Sequence, residues 1–176
     1  MAPFEGLWPV MLTAFADDGA VDEAGIDALV DFYIDSGSKG LFAVCQSSEM
    51  LDLSDDERLR VARRVVSRTA GRVPVVAAGT FAREIPKVVD FVRRMADTGV
   101  DAVVTLPNQL TDETEDESVL RARLEGLAET TDPVPLGLYE CPIPYHRTVS
   151  ADLVAWAAAS GRFRYMKDTI RDPAKM

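Results

Sequence analysis

The sequence predicts an α/β architecture of repeated strand–helix units around a parallel sheet. Three observations carry this reading. Short apolar, β-branched runs alternate with longer amphipathic stretches. The runs recur at near-constant intervals. Each amphipathic stretch ends on glycine or another turn signal. The candidate strands are 7–13, 40–44, 73–78, 102–106, 134–139 and 163–167, and their starts lie 33, 33, 29, 32 and 29 residues apart.

The elements follow in order. After the first strand, Ile26, Leu29, Val30, Tyr33 and Ile34 fall at helical spacing, and Gly37 and Gly40 stop that helix. A second helix carries Leu59, Ala62, Val65 and Val66 behind the capping box Ser54-Asp55-Asp56-Glu57, and closes at Gly71. Val88, Val89, Phe91, Val92 and Met95 form a third stripe that ends at Gly99. Leu120, Leu124, Leu127 and Ala128 form a fourth, closed by Asp132-Pro133. Leu153, Val154, Trp156 and Ala157 form a fifth, started by Ser150 and ended at Gly161. The acidic run Asp112, Glu113, Glu115, Asp116 and Glu117 reads as a solvated loop leading into a helix N-terminus, where carboxylates complement the dipole.

Composition narrows the function. The chain has 176 residues, 47% hydrophobic and 27% charged, which is ordinary globular usage and fits one domain. A net charge of -10 argues against nucleic acid, which needs a basic face, and against an anionic membrane surface. A small anionic substrate remains compatible, because a local site can be positive on an acidic protein. Two distant cysteines, Cys45 and Cys141, suggest a reducing, cytoplasmic setting. A single histidine, His146, offers no metal-ligand set, so no metal is expected. No leader is expected at the N-terminus, and no apolar run reaches the ~18–20 residues that span a bilayer.

Two architectures accommodate such a repeat: an open doubly wound sheet and a closed TIM (β/α)8 barrel. No GxGxxG or P-loop opens any helix, and the regular spacing favours the barrel. A barrel takes eight units and about 250 residues. Residues 1–176 supply about six units, so the expectation is a partial barrel domain without the seventh and eighth strands and the C-terminal helices.

Barrel chemistry sits at the C-terminal ends of strands. Those ends carry Thr13, then Cys45-Gln46-Ser47-Ser48-Glu49, Gly79-Thr80, Pro107-Asn108-Gln109, Tyr139-Glu140-Cys141-Pro142 and Lys167-Asp168. This ordered set resembles the dihydrodipicolinate synthase / N-acetylneuraminate lyase family of Schiff-base aldolases. The resemblance runs from Gly6-Leu7-Trp8-Pro9 and Thr13-Ala14-Phe15, through Pro74-Val75-Val76-Ala77-Ala78-Gly79-Thr80, to Lys167-Asp168.

The resemblance implies roles. Lys167 would attack the carbonyl of a pyruvate-like 2-oxo acid to form an imine. That requires a neutral amine, whereas free lysine titrates near about 10.4. Tyr139 would relay protons. Ser47, with Gln46 in place of a family hydroxyl, would hold the substrate carboxylate, and Glu49 would brace that turn. Arg147 is a candidate carboxylate clamp through its guanidinium fork. No cofactor is implied, because the imine is itself the electron sink. A homo-oligomer, dimer or tetramer, is implied as well.

Three strand ends depart from the family pattern. Pro107-Asn108-Gln109 lacks the family's aromatic pair, Glu140 stands for asparagine, and Cys45 stands for glycine. These point to a divergent lyase, an aldolase or a sugar-acid dehydratase, rather than the lysine-pathway enzyme. The alternative is a non-catalytic truncated barrel that binds a carboxylate or serves as a partner subunit.

Overall fold

The computed structural model describes residues 5–169. Six α-helices are found among them: α1 (Glu23–Asp35), α2 (Asp55–Thr69), α3 (Ile85–Ala96), α4 (Pro107–Leu110), α5 (Glu117–Thr130) and α6 (Ala151–Ala159). Five strands alternate with them: β1 (Leu41–Phe42), β2 (Val75–Ala78), β3 (Ala102–Thr105), β4 (Leu136–Tyr139) and β5 (Phe163–Lys167). The sheet order is β1-β2-β3-β4-β5, which is the chain order expected of a βα repeat. Strands β1 to β4 are buried along their whole length, so they read as continuous apolar runs rather than alternating ones.

The chain divides into two compact units, 1–78 with 94–103, and 79–93 with 104–176. In the first unit, β1 pairs in parallel with β2, Leu41 opposite Val75 and Phe42 opposite Val76. Rungs from Ala43 N to the Val76 carbonyl (2.8 Å) and from Ala78 N to the Val44 carbonyl (2.9 Å) carry the ladder past the strand ends. The first expected strand, 7–13, is corrected here. It contributes one isolated parallel bridge, Val10 to Phe42, and no strand of its own. Pro9 has no N–H to donate, which removes a rung from the segment. The segment is still docked, through Phe42 N to the Pro9 carbonyl (3.0 Å) and Met11 N to the Phe42 carbonyl (2.9 Å).

Helix α2 begins as its sequence requires. The Ser54 hydroxyl accepts from Glu57 N and the Glu57 carboxylate accepts from Ser54 N, completing the capping box. Leu59, Val61, Ala62 and Val65 are buried. On the solvent side, α1 and α2 are joined by a ladder of ion pairs. Arg60 bonds Glu23 (2.6 Å), Arg64 bonds Asp27 (2.6 Å), Arg68 bonds Asp31, and Arg72 also reaches Asp31 (2.9 Å). Arg60, Arg64 and Arg68 recur every fourth residue and line one face of α2, and Arg72 follows just after its C-terminus. Hydrogen bonds from Arg68 and then Arg72 hold the Asp31 carboxyl down at about 2, and Arg64 lowers Asp27 in the same sense.

The second unit holds β4 and β5, described below, and α5 and α6. Leu120, Leu124, Leu127 and Ala128 of α5 are buried, as are Leu153 and Ala157 of α6. The Ser150 hydroxyl caps α6 by accepting from Leu153 N. Among the described residues, no helix is long and apolar enough to cross a membrane.

The ladder sets an acid limit on the α1–α2 pair. Carboxyls with lowered pKa contribute stability that is complete above their unfolded value near 3.8 and is lost as pH falls towards about 2. Asp31→Asn is expected to lower the melting temperature at neutral pH and to flatten its fall between pH 4 and 2. Thermal unfolding followed across that range, at low and high salt, checks this.

Candidate active site

The local geometry starts from the pairing of β4 with β5. Leu136 lies opposite Phe163, but Gly137 lies opposite Tyr165, Leu138 opposite Met166 and Tyr139 opposite Lys167. One extra residue, the exposed Arg164, is therefore absorbed as a bulge after the first pair. Without it, Tyr139 would face Met166, and Lys167 would fall one position out of register. Gly137 sits where the strands crowd. A Cβ there would lie 3.0 Å from the Tyr165 carbonyl oxygen, 3.2 Å from the Tyr165 Cβ and 3.3 Å from a Val104 methyl.

The register brings together the two residues that the sequence singles out. Lys167 Nζ lies 4.0 Å from the centroid of the Tyr139 ring, on its face. Tyr139 is 2% exposed, so the amine rests against a buried aromatic surface. The last rung of the ladder, Glu140 N to the Lys167 carbonyl (3.2 Å), closes directly beside them.

Glu140 is fully buried, which the sequence did not signal. Its Oε1 accepts from Val149 N (2.8 Å) and its Oε2 from Thr169 N (3.3 Å). Burial pushes its carboxyl above the ordinary range. The neighbouring Asp168 carboxyl adds to that, and the Val149 and Thr169 N–H groups oppose it. The Thr169 hydroxyl donates to the Glu140 carbonyl (2.7 Å) and also meets His146 Nε2 (2.7 Å). With the hydroxyl proton committed, His146 donates from Nε2.

Asn108 explains the departure at the end of β3. It is 1% exposed, and its Nδ2 faces three carbonyls: Cys141 (2.6 Å), Ile143 (2.9 Å) and Tyr145 (2.8 Å). Three carbonyl acceptors call for the amide nitrogen, whose two N–H protons are shared among them, and this fixes the amide orientation. The Tyr145 hydroxyl donates to the Thr111 carbonyl. Arg147 donates from its two terminal nitrogens to the carbonyls of Asp112 (2.9 Å) and Glu115 (2.7 Å). Arg147 is thus a staple between loops, and a substrate carboxylate would have to displace those carbonyls. The acidic run is anchored at Glu115, whose carboxylate binds Arg123 of α5 (2.7 Å) and is lowered by it.

The other expected site residues lie in the first unit, in a single 3-10 turn, Gln46–Ser48. Ser48, not Ser47, carries the internal bonding. Its hydroxyl accepts from Cys45 N (2.5 Å) and donates to the Cys45 carbonyl (2.8 Å), while Thr13 donates to the Ser48 carbonyl (2.8 Å). Arg58 of α2, itself buried, donates from Nε to the Met50 carbonyl (2.6 Å) and fixes the exit of the turn. Ser47 stands exposed and Gln46 half-buried. Glu49 adopts a left-handed conformation (φ 57°) and braces the turn through its main chain: its carbonyl accepts from Asp52 N (2.9 Å) and Leu53 N (3.2 Å). Cys45 and Cys141 are both buried.

These features define the class, a parallel βα-barrel chain whose polar residues gather at the C-terminal ends of strands. Comparison with known proteins gives the family. Residues 3–143 match the Dihydrodipicolinate synthetase family, and the chain belongs to it. It is 33% identical over 165 residues to a 4-hydroxy-tetrahydrodipicolinate synthase of Laribacter hongkongensis, covering 94% of this chain and 55% of that protein. It is 36% identical over 135 residues to a probable 5-dehydro-4-deoxyglucarate dehydratase of Streptomyces avermitilis, covering 77% of this chain and 39% of that one. In structure it is similar to dihydrodipicolinate synthase DapA-2 of Bacillus anthracis (TM-score 0.87, 27% identity), covering all of this chain and 59% of that one. It is also similar to YagE of E. coli K12, solved in complex with pyruvate (TM-score 0.85, 28% identity), covering 99% and 57%. The chain spans about half the length of the curated synthases it matches.

Two substitutions test this geometry. Gly137→Val is expected to cost about 1–3 kcal/mol, because the crowded backbone of β5 must move away; urea unfolding measures it. Asn108→Leu removes the donor from three carbonyls at a cost of about 1–3 kcal/mol. Faster amide exchange over residues 141–147, with exchange in α5 unchanged, is the expected signature.

Proposed function

We propose that this chain carries the imine-forming half of a lyase that acts on a 2-oxo acid, as an aldolase or a sugar-acid dehydratase. The observation that supports it best is the Lys167 amine lying 4.0 Å over the buried Tyr139 ring at paired strand ends. In this reading the unprotonated amine adds to the 2-oxo carbon. The carbinolamine then loses its hydroxyl as water. In an aldolase, the resulting iminium accepts the electron pair released when the substrate's C–C bond breaks. In a dehydratase, it accepts the pair released when a proton leaves the carbon next to the imine, and the enamine so formed expels the β-hydroxyl as water. Tyr139, beside the amine, supplies and removes the protons of these steps.

The substrate class rests on relatives. A dehydratase shares 36% identity over 77% of the chain, and a structural neighbour was solved with pyruvate. Asn108 favours a dehydratase or divergent aldolase over the synthase reaction, because its amide is spent on the 141–145 carbonyls where the family resemblance implies an aromatic pair. The exposed Ser47 hydroxyl and the Gln46 amide are donors suited to a carboxylate. The reading extends to a partial barrel domain over 1–176, a reducing cytoplasmic setting consistent with only two, distant cysteines, and assembly as a homo-oligomer.

Incubation with pyruvate followed by borohydride reduction is expected to leave an adduct on Lys167, located by peptide mass spectrometry. Lys167→Ala should abolish it. Tyr139→Phe should retain some adduct while lowering turnover by about 10²–10⁴-fold. A folded chain that forms no adduct would overturn the imine reading and favour a carboxylate-binding subunit.

A further inference from the structure

A fully buried glutamate is costly unless something is gained from it. Glu140 engages the end of β5 through three of its polar groups. Its N–H donates to the Lys167 carbonyl (3.2 Å), its carbonyl accepts the Thr169 hydroxyl (2.7 Å), and its Oε2 accepts Thr169 N (3.3 Å). Its remaining oxygen, Oε1, accepts Val149 N (2.8 Å), from the segment just before the Ser150 cap of α6. One side chain therefore joins two stretches of main chain twenty residues apart, Val149 and Thr169. His146 adds a second tie to Thr169 (2.7 Å).

The need for such a bracket follows from the topology. β5 is the last strand in the sheet order, so among the described residues its ladder runs on one side only. That ladder ends at Lys167. Beyond it, Thr169 is held by Glu140 rather than by a further rung of the strand ladder. A strand end free to fray would let the Lys167 side chain leave the Tyr139 face, and small misplacements of a reacting group cost rate steeply.

We propose that Glu140 is a positioning residue for Lys167: its carboxyl buckles the end of β5 to the 146–149 loop and fixes the lysine against Tyr139. This rests on the imine reading above for its catalytic consequence, but the bracket itself is measurable without it. The geometry also demands two acceptor oxygens. Glutamine keeps one of them and alanine keeps none, so the two variants should be graded.

The test measures borohydride trapping of pyruvate against pyruvate concentration in the wild type, Glu140→Gln and Glu140→Ala. Amide exchange is followed in parallel at Val149 and Thr169. Glu140→Ala is expected to lower the maximum trapping rate about tenfold while moving the half-saturating concentration less than about twofold, with faster exchange at both amides. Glu140→Gln should recover part of each effect. If Glu140→Ala fails to fold by circular dichroism, Glu140→Gln carries the same comparison. Unchanged exchange and an unchanged maximum rate would overturn the proposal, as would a change confined to half-saturation. A wild-type chain that traps no pyruvate would overturn the imine reading and the positioning role together. Faster exchange in the variants would then still identify the bracket as structural.

Discussion

The arrangement depends on how β5 lies against β4. A single inserted residue, Arg164, shifts the register after the first pair, and the shift turns Lys167 towards Tyr139. In a parallel ladder a one-residue slip exchanges the two faces of a strand, so the bulge selects lysine rather than methionine as the partner of Tyr139. Gly137 makes the bulge possible, because any side chain there would press on the Tyr165 backbone.

Around that pairing, the second unit ties its long post-β4 loop down with groups that do no chemistry themselves. Asn108 holds three carbonyls of the loop, Tyr145 and Arg147 hold the 111–115 segment, and Glu140 joins the loop to the end of β5. Each tie satisfies backbone groups that would otherwise sit unpaired near a buried surface, where every orphan is expensive. Residues that look like departures from the family pattern, Asn108 and Glu140, are the ones spent on this work. Divergence at these positions reads as a changed scaffold for the same strand ends.

The first unit solves a similar problem differently. Its strand-end turn is held by Ser48, Thr13 and Arg58, which leaves Ser47 facing solvent. The α1–α2 ion-pair ladder lies on the solvent side, where each pair contributes little alone and all are weakened by salt. Its clearest signature is the loss, as pH falls towards about 2, of the modest stability it contributes above the carboxylate range.

By itself, the sequence determined the repeat, its order, the helix caps at Ser54 and Ser150, and the strand ends that carry Tyr139 and Lys167. These are local or periodic signals: apolar spacing, capping chemistry and the residue type at a run's end. Only the tertiary structure decided that 7–13 bridges rather than forms a strand, that Ser48 rather than Ser47 holds its turn, and that Arg147 binds carbonyls. The bulge that sets Tyr139 against Lys167 and the burial of Glu140 were hidden for the same reason. Most of these depend on partners about 30 residues away in the chain, such as Thr169 for the Glu140 carboxylate or Gly137 for a register. No local pattern encodes which distant backbone group will arrive beside a side chain.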